Sequence, residues 1–204
     1  KTNLAKFTGM LQGQRELSTV GQMLLTELAP LVNAHQGTIY HLADTGTGYY
    51  ELRLLSSYAH GGEGELPAKI SLGEGLVGQC AVEKKRIMLT HVPSNFITIS
   101  SSLGDAQQVS ILVLPVLFEG HTKAVIELAT LQSFSAGSQA FLELLTQSIG
   151  AVFNTIEATM RTGHGACAHV EIQVRVSGQH VARAAHPAQL HSYSQPAVGR
   201  QHGW

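Results

Sequence analysis

Two long apolar runs separated by a short polar break dominate the middle of the chain. The runs lie within residues 109–131, and the break consists of the polar residues 119–122. Runs rich in Val, Ile and Leu around a break that contains Gly predict a β-hairpin, here with a loop slightly longer than two residues. The first run is apolar at nearly every position, which is typical of a strand covered on both faces. Pro115 interrupts this run, and because proline cannot donate to a strand ladder we expect a bulge there.

Shorter segments on the N-terminal side of the hairpin predict further strands. They lie at residues 37–43, 48–58, 68–72 and 86–91. In the second of them, simple alternation places Leu54 and Ser56 on one face and Leu55 on the other. In the second half of the hairpin, the same alternation places Ile126 and Glu127 on opposite faces.

Two longer segments repeat apolar residues every three or four positions, which predicts amphipathic helices. The first covers residues 4–32, with a break near residues 12–16 and Ser18 as a new N-cap. The second follows the N-cap Ser135 and extends from residue 136 to residue 160. Each apolar stripe fits two roles, packing on the domain's own sheet or forming the seam of a dimer.

Composition limits the classes of partner. Of the 204 residues, 44% are hydrophobic and 13% are charged, and the net charge is −1. This balance offers no basic surface to nucleic acid. No apolar run reaches the roughly 18 residues that a membrane span needs, so no direct membrane insertion is expected. Cys80 and Cys167 stand in unrelated contexts, which predicts neither a disulfide framework nor a metal site and favours a reducing, cytoplasmic setting.

A glycine-rich stretch at residues 73–78 comes nearest to a nucleotide-binding loop. Its spacing matches neither the dinucleotide nor the triphosphate fingerprint, and no Lys-Ser or Lys-Thr pair follows it. We therefore expect no cofactor, and interpret the stretch as a tight turn into a short helix with Leu76, Val77 and Ala81 packed inward. Cys80 on this helix is expected to be a small buried side chain.

The composition changes beyond Met160. Residues 161–204 contain no Lys, Asp, Phe or Met, and six of the eleven His of the chain lie there at irregular spacing. A zinc site needs about four ligands at defined intervals, so these His do not predict one. We expect a disordered tail. Its Ala, His, Arg, Ser and Gly mixture is also what a shifted reading frame through GC-rich coding sequence would produce.

The central hairpin and the segment before it, GEGLVGQCAVEKKRIMLTHVP at residues 73–93, resemble a GAF domain, a small-ligand and signal-sensing module. Residues 7–34, FTGMLQGQRELSTVGQMLLTELAPLVNA, are similar to bacterial hybrid sensor histidine kinases of the HAMP–GAF–kinase–receiver type. The resemblance implies an α+β fold with a central antiparallel sheet of five or six strands. It also implies that the N- and C-terminal helices pack on one face of that sheet.

The family resemblance implies a regulatory, signal-sensing role in a two-component system. The chain has no His-Glu-Leu-Arg-Thr-Pro phosphoacceptor block and no glycine-rich ATP lid, so we expect no catalytic residues and no enzyme activity in it. Two alternatives remain open. One is a dimerisation spacer that relays motion without a ligand, and the other is a cysteine-based methionine sulfoxide reductase, which needs a low-pKa thiolate.

The expected organisation has three parts. Residues 1–32 are a signalling helix, residues 33–160 are the GAF domain with its C-terminal helix, and residues 161–204 are the tail. Lys1 in place of an initiator Met indicates that the sequence begins inside a longer protein. We expect a parallel homodimer through the terminal helices in the cytoplasm, and a membrane anchor elsewhere in the parent protein is left open.

In GAF domains that bind a ligand, the pocket lies on the sheet face opposite the terminal helices. Residues 91–105 form a polar, Ser-rich segment that also carries apolar residues, and such segments often cover pockets. If the domain binds a small molecule, we therefore expect the site to lie between the sheet and this segment. The candidate lining residues are His91, Phe96, Ser101, Ser110, Leu112 and Glu127.

Overall fold

A computed structural model describes residues 2–60, 65–93, 100–101, 104–105 and 108–181. The chain divides into two units, Lys1–Arg161 and Thr162–Trp204. In chain order the elements are α1 Thr2–Leu11, α2 Leu17–Leu31, β1 Gln36–Asp44, β2 Tyr50–Tyr58, β3 Lys69–Ser71, α3 Gly75–Glu83, β4 Ile87–Pro93, β5 Ser100–Ser101, β6 Gly104–Asp105, β7 Gln108–Phe118, β8 His121–Thr130 and α4 Ala136–Val181.

Six strands form one antiparallel sheet in the order β3-β2-β1-β8-β7-β4. Strands β7 and β8, which carry the two apolar runs, lie inside the sheet with a neighbour on each side. This agrees with the prediction that the first run is covered on both faces. Strands β5 and β6 pair separately as a small two-stranded sheet. The α+β class and the predicted number of strands are confirmed.

Helices α1, α2 and α4 supply one layer of the core. Leu24 of α2, Phe153 of α4 and Ile126 of β8 are buried in the same cluster. The rings of Phe7 in α1 and Phe141 in α4 lie 5.9 Å apart, which joins the first helix to the last. The predicted packing of the terminal helices on one sheet face is therefore confirmed.

Helix α3 packs on the opposite face of the sheet. Its Val77 and Ala81 are buried with Tyr40 of β1 and Val125 of β8. The Thr122 hydroxyl donates a hydrogen bond of 2.8 Å to the Ala81 carbonyl, which ties α3 to the start of β8. Val77 and Ala81 therefore point inward, as the apolar pattern of the glycine-rich stretch predicts.

The turn of the central hairpin is tighter than its sequence predicts. Strand β7 ends at Phe118 and β8 begins at His121, so the loop consists of Glu119 and Gly120. Their φ angles are 49° and 75°, and two successive positive values give a turn that matches the twist of the paired strands. The longer loop was a wrong prediction because the polar residues 121 and 122 pair with β7.

The bulge of the hairpin lies beside its proline rather than at it. Pro115 pairs in register with β8, and the shift falls between Val116 and Leu117, where Lys123 is the extra residue of β8. On the other side of β7, strand β4 pairs only as far as Val113. Because no strand among the described residues pairs with β7 on that side beyond Val113, the proline fits without a bulge of its own.

A second bulge changes the predicted faces of β2. The register shift opposite β1 leaves Leu55 as the extra residue. The Ser56 hydroxyl consequently reaches the helical layer, where it donates a hydrogen bond of 2.8 Å to Gln22 Oε1 of α2. Leu54 packs in the cluster under α3 instead. The prediction that Leu54 and Ser56 share a face is wrong, because an extra residue reverses the alternation beyond it.

The N-terminal segment is two helices, with the break where the glycine pattern predicts it. Gly13 has a φ of 80°, and α2 starts after Glu16 rather than after Ser18. Glu16 makes no capping hydrogen bond with its side chain. Both helices share one core with the sheet, within the unit Lys1–Arg161. The predicted division after residue 32 therefore does not separate two compact bodies.

Helix α4 is longer than predicted, since it ends at Val181 rather than near Met160. No proline occurs between Pro115 and Pro187, so the sequence contains no residue that must end the helix earlier. Residues 162–181, which we expected to be disordered, are helical. Residues 182–204 of the predicted tail lie outside the described residues.

Candidate functional site

A carboxylate lies in the middle of the sheet face that α3 covers, the α3 face. Glu127 of the interior strand β8 pairs with Thr38 of β1 on one side and with Val113 of β7 on the other. Its neighbours along β8 on the same face are the buried Val125 and Ala129. An acidic side chain therefore occupies a central sheet position whose neighbours on the same strand face are apolar.

The surroundings of Glu127 disfavour its charge. Burial raises the pKa of the carboxyl above its usual value of 4.5, and the Thr38 hydroxyl lowers it to a smaller extent. No Lys, Arg or His of the described residues acts on this carboxyl. Removing an ionised carboxyl from water costs free energy unless a cation or hydrogen-bond donors compensate. Within the described residues, the fold compensates Glu127 only in part.

Thr38 and Tyr40, the two polar residues of β1 near Glu127, differ in whether their hydroxyls have hydrogen-bonding partners. The Thr38 hydroxyl is buried and has no hydrogen-bonding partner among the described residues, so its effect on Glu127 is exerted without a hydrogen bond of normal geometry. The Tyr40 hydroxyl donates a bond of 3.1 Å to the Pro67 carbonyl. Burial, and then the charge of Glu127, raise the pKa of Tyr40 to about 12.

The structure brings together only part of the predicted pocket. Glu127 lies on the α3 face, whereas Leu112 is buried in the cluster beneath the terminal helices. Ser110 is also buried and pairs with Thr130, two positions along β7 from Leu112 and thus on the same helical side. The structure therefore places these two residues on the side opposite Glu127, and the sequence did not indicate this because, in a strand covered on both faces, apolar character does not distinguish one face from the other.

The other three candidates lie at or beyond the end of β4. His91 is exposed, has a φ of 59° and falls in a register shift between Leu89 and Val92. A bulge of this kind re-aims side chains at the rim of a sheet. Ser101 belongs to β5, and Phe96 lies outside the described residues.

Sequence reasoning missed Thr38 and Tyr40. The alternation of residues 37–43 places both on one face of β1 and could have singled them out. Thr38 lies opposite Glu127, and Tyr40 opposite Val125, because β1 pairs with β8, and these two strands are far apart in the sequence. Local patterns do not set such a register.

A second polar cluster, on the helical side, holds α4 to the same two strands. Glu157 of α4 accepts a hydrogen bond of 2.8 Å from Lys123 Nζ of β8, and its other oxygen lies 2.8 Å from His41 Nε2 of β1. Arg161, one turn further along α4, adds a contact of 3.2 Å. The bulge at Lys123 explains how this lysine of β8 reaches the helical layer.

The electrostatics of Glu157 are the opposite of those of Glu127. The side chains of Glu157, Lys123 and His41 are 12%, 15% and 16% exposed, so water screens their charges only partly. Burial alone would raise the pKa of Glu157, but the hydrogen bonds and charges of His41 and Lys123 lower it to about 2. Glu157 is thus an ionised anchor, whereas Glu127 is an acid without a cationic partner among the described residues.

Comparison with protein families identifies the fold. The family model described as GAF domain matches residues 14–154, well over half of the chain. The chain belongs to the GAF domain family. The matched span begins before α2 and ends within α4, so it contains the sheet, the α3 face and most of the helical layer.

Solved structures agree with this assignment. The GAF domain of an Acinetobacter phosphoenolpyruvate-protein phosphotransferase is 17% identical, with a TM-score of 0.59, and the match covers 77% of this chain and 93% of that one. The corresponding domain from Coxiella burnetii is 16% identical, with a TM-score of 0.61 and coverages of 78% and 95%. At these identities the likeness shows a shared fold. A comparison with curated protein sequences finds no significant match.

A third similar structure is an enzyme with the same fold. The free methionine-R-sulfoxide reductase from Neisseria meningitidis is 16% identical, with a TM-score of 0.56 and coverages of 76% and 89%. Cys80 of this GAF domain is fully buried and its thiol donates to the Lys85 carbonyl at 3.3 Å. Burial, followed by the charges of Glu83 and Glu127, raises the pKa of Cys80 to about 12. Cys80 therefore does not supply the low-pKa thiolate that the reductase alternative needs.

The described residues provide neither a metal site nor a helix that could span a membrane. Across these residues, no group of three His, Cys, Asp or Glu is placed to hold a metal ion. The helices of the described part are also too short or too polar to cross a membrane.

Substituting Glu157 should expose its role as an anchor. Because the folded-state pKa lies below the usual 4.5, ionised Glu157 stabilises the fold above that pH, and this contribution is lost as the pH falls toward about 2. We expect Glu157→Gln to lower the free energy of unfolding by about 3 kcal/mol near neutral pH, as for breaking a buried pair. Urea unfolding at several pH values measures the difference, which should shrink below pH 4.5.

The matched control for this substitution is Glu143→Gln on the same helix. Glu143 pairs with Arg86 at 2.7 Å, but the two side chains are 51% and 46% exposed. Exposed pairs contribute less than about 1 kcal/mol, so this variant should unfold almost like the parent chain. Equal losses in the two variants, or a Glu157→Gln loss that is independent of pH, would contradict the anchor role.

Proposed function

We propose that this GAF domain is the regulatory sensing module of a two-component sensor histidine kinase and works in the cytoplasm. The similarity of residues 7–34 to bacterial hybrid kinases supports the kinase context. The domain itself takes no part in phosphoryl transfer. Its role is to change the position or stability of α4 in response to a small molecule or to motion in an upstream segment.

The observation that carries the proposal is that the same two strands serve both faces of the sheet. Strand β1 places Thr38 on the α3 face and His41 against Glu157 of α4. Strand β8 does the same with Glu127 and Lys123. A shift of these strands that accompanies binding at the α3 face would change the contacts of Glu157, the anchor of α4, with His41 and Lys123. A two-state element biased by a ligand is what signalling through a domain requires.

Glu127 and Thr38 also favour a sensing role over a spacer without a ligand. A relay that only transmits motion has no need for an uncompensated carboxyl and a buried, unpartnered hydroxyl inside its sheet. An apolar pair at the same positions would be more stable. Destabilising polar groups of this kind are typical of binding sites, where a ligand supplies the missing partner.

The decisive experiment uses the complete gene product that contains this domain. Incubated with radiolabelled ATP, it should form phosphohistidine. The Glu157→Gln variant should change the rate at least threefold with little change in the KM for ATP, because the anchor of α4 lies outside any nucleotide site. The Glu143→Gln variant should leave the rate within experimental error. A complete gene product that forms no phosphohistidine would contradict the kinase context.

We further propose that the domain forms a parallel homodimer through its terminal helices. Most of the helical apolar stripe is used inside one chain, since Leu24, Leu28 and Phe153 are buried. Leu144 of α4 and Leu31 of α2 remain 54% and 43% exposed on the outer side of the layer. Exposed leucines on a helical surface are the contacts that a second copy would cover.

Sedimentation equilibrium of the 204-residue chain measures this association. We expect a dimer in the micromolar range, with Leu144→Glu shifting the equilibrium to monomer because it places a charge in the apolar contact. Leu72→Glu is the matched control, since Leu72 is 42% exposed but lies next to β3, away from both terminal helices. A strictly monomeric parent chain at about 100 µM, or equal effects of the two substitutions, would contradict the proposal.

A further inference from the structure

We infer that the ligand of the α3 face is a small molecule with a primary ammonium group on a compact apolar body, bound between Glu127 and Thr38. This inference rests on the proposed sensing function and adds the chemical class of the ligand. It starts from a buried hydroxyl without a hydrogen-bonding partner and a carboxyl without a cationic partner among the described residues, on opposing positions of β1 and β8.

The polar atoms of the site are mainly acceptors. The Glu127 carboxyl accepts through both oxygens and has no cationic partner among the described residues. The Tyr40 hydroxyl already donates its hydrogen to the Pro67 carbonyl, which leaves its oxygen to accept. The Thr38 hydroxyl is unpartnered and can also accept. An ammonium group carries three donors and a positive charge, so it matches this set better than a carboxylate or a carbonyl does.

The apolar neighbours limit what can be attached to the ammonium group. Val113, Val125 and Ala129 surround Glu127 on the α3 face and are buried. Side chains of this kind favour a short aliphatic body over a polar one. A hydrated divalent cation is a poorer match, because calcium needs six to eight oxygen ligands and the described residues offer fewer at this place.

An isosteric series of probes tests the class of ligand. Isobutylamine, isobutanol and isobutyrate share one carbon skeleton and differ in carrying a positive, neutral or negative group. In two-dimensional NMR titrations of the 204-residue chain, isobutylamine should shift the amides of Thr38, Val113 and Glu127 saturably. Isobutanol and isobutyrate should bind at least tenfold more weakly.

Substitutions distinguish this site from general attraction between a cation and an acidic surface. Glu127→Gln should weaken isobutylamine at least tenfold, whereas Glu83→Gln removes the same charge from the exposed end of α3 and should leave binding unchanged. Thr38→Val keeps the shape of the side chain and should weaken isobutylamine severalfold. It also provides an independent test if Glu127→Gln fails to fold.

Three results would overturn the inference. They are a preference for isobutanol or isobutyrate, unchanged isobutylamine binding in both Glu127→Gln and Thr38→Val, and absence of saturable shifts with all three probes. The proposed regulatory function is judged separately, by phosphohistidine formation and its response to Glu157→Gln. A failed probe series together with a responsive kinase would remove the ammonium class and leave the sensing role standing.

Discussion

The ionised carboxylate of Glu157 is the contact on which the position of α4 depends. It accepts from Lys123 of β8 and lies 2.8 Å from His41 of β1, within a layer that is mostly apolar. Apolar packing alone is non-directional and would permit small rotations or shifts of α4. A buried carboxylate with two partners fixes one register, because any shift would leave a charge unpaired. Gly150 restricts the position of α4 further, since the helix passes so close to the Leu117 carbonyl that no Cβ would fit there.

The sheet carries a second carboxyl group, Glu127, whose pKa is shifted in the opposite direction. Glu127 sits among apolar residues on the α3 face, and burial raises its pKa, while Glu157 is paired and its pKa is lowered to about 2. Both carboxylates contact β1 and β8, one from each face. One pair of strands therefore carries a paired anchor and an acid that has no cationic partner among the described residues. That combination is the basis of the proposed route from a small molecule on the α3 face to α4.

Much of the fold could be predicted from the sequence, because apolar periodicity reports local structure directly. The strands, the break near Gly13 and the inward side of α3 follow from residues close together in the chain. The extra residues Lys123 and Leu55 could not be predicted, since a bulge depends on the partner strand. For the site, Glu127 was identified as an acid in an apolar strand, but the positions of Thr38 and Leu112 relative to it require the strand order and register.

Amide hydrogen exchange in Glu127→Gln tests most directly whether the sheet links its two faces. Glutamine at this position replaces the carboxyl with a neutral amide of similar shape without touching the helical layer. If β1 and β8 transmit the change, protection of amides 153–158 around the anchor should alter at least threefold more than protection of amides 140–146 at the start of α4. An effect confined to the strands, with both parts of α4 unchanged, would show that the α3 face and the anchor are energetically separate.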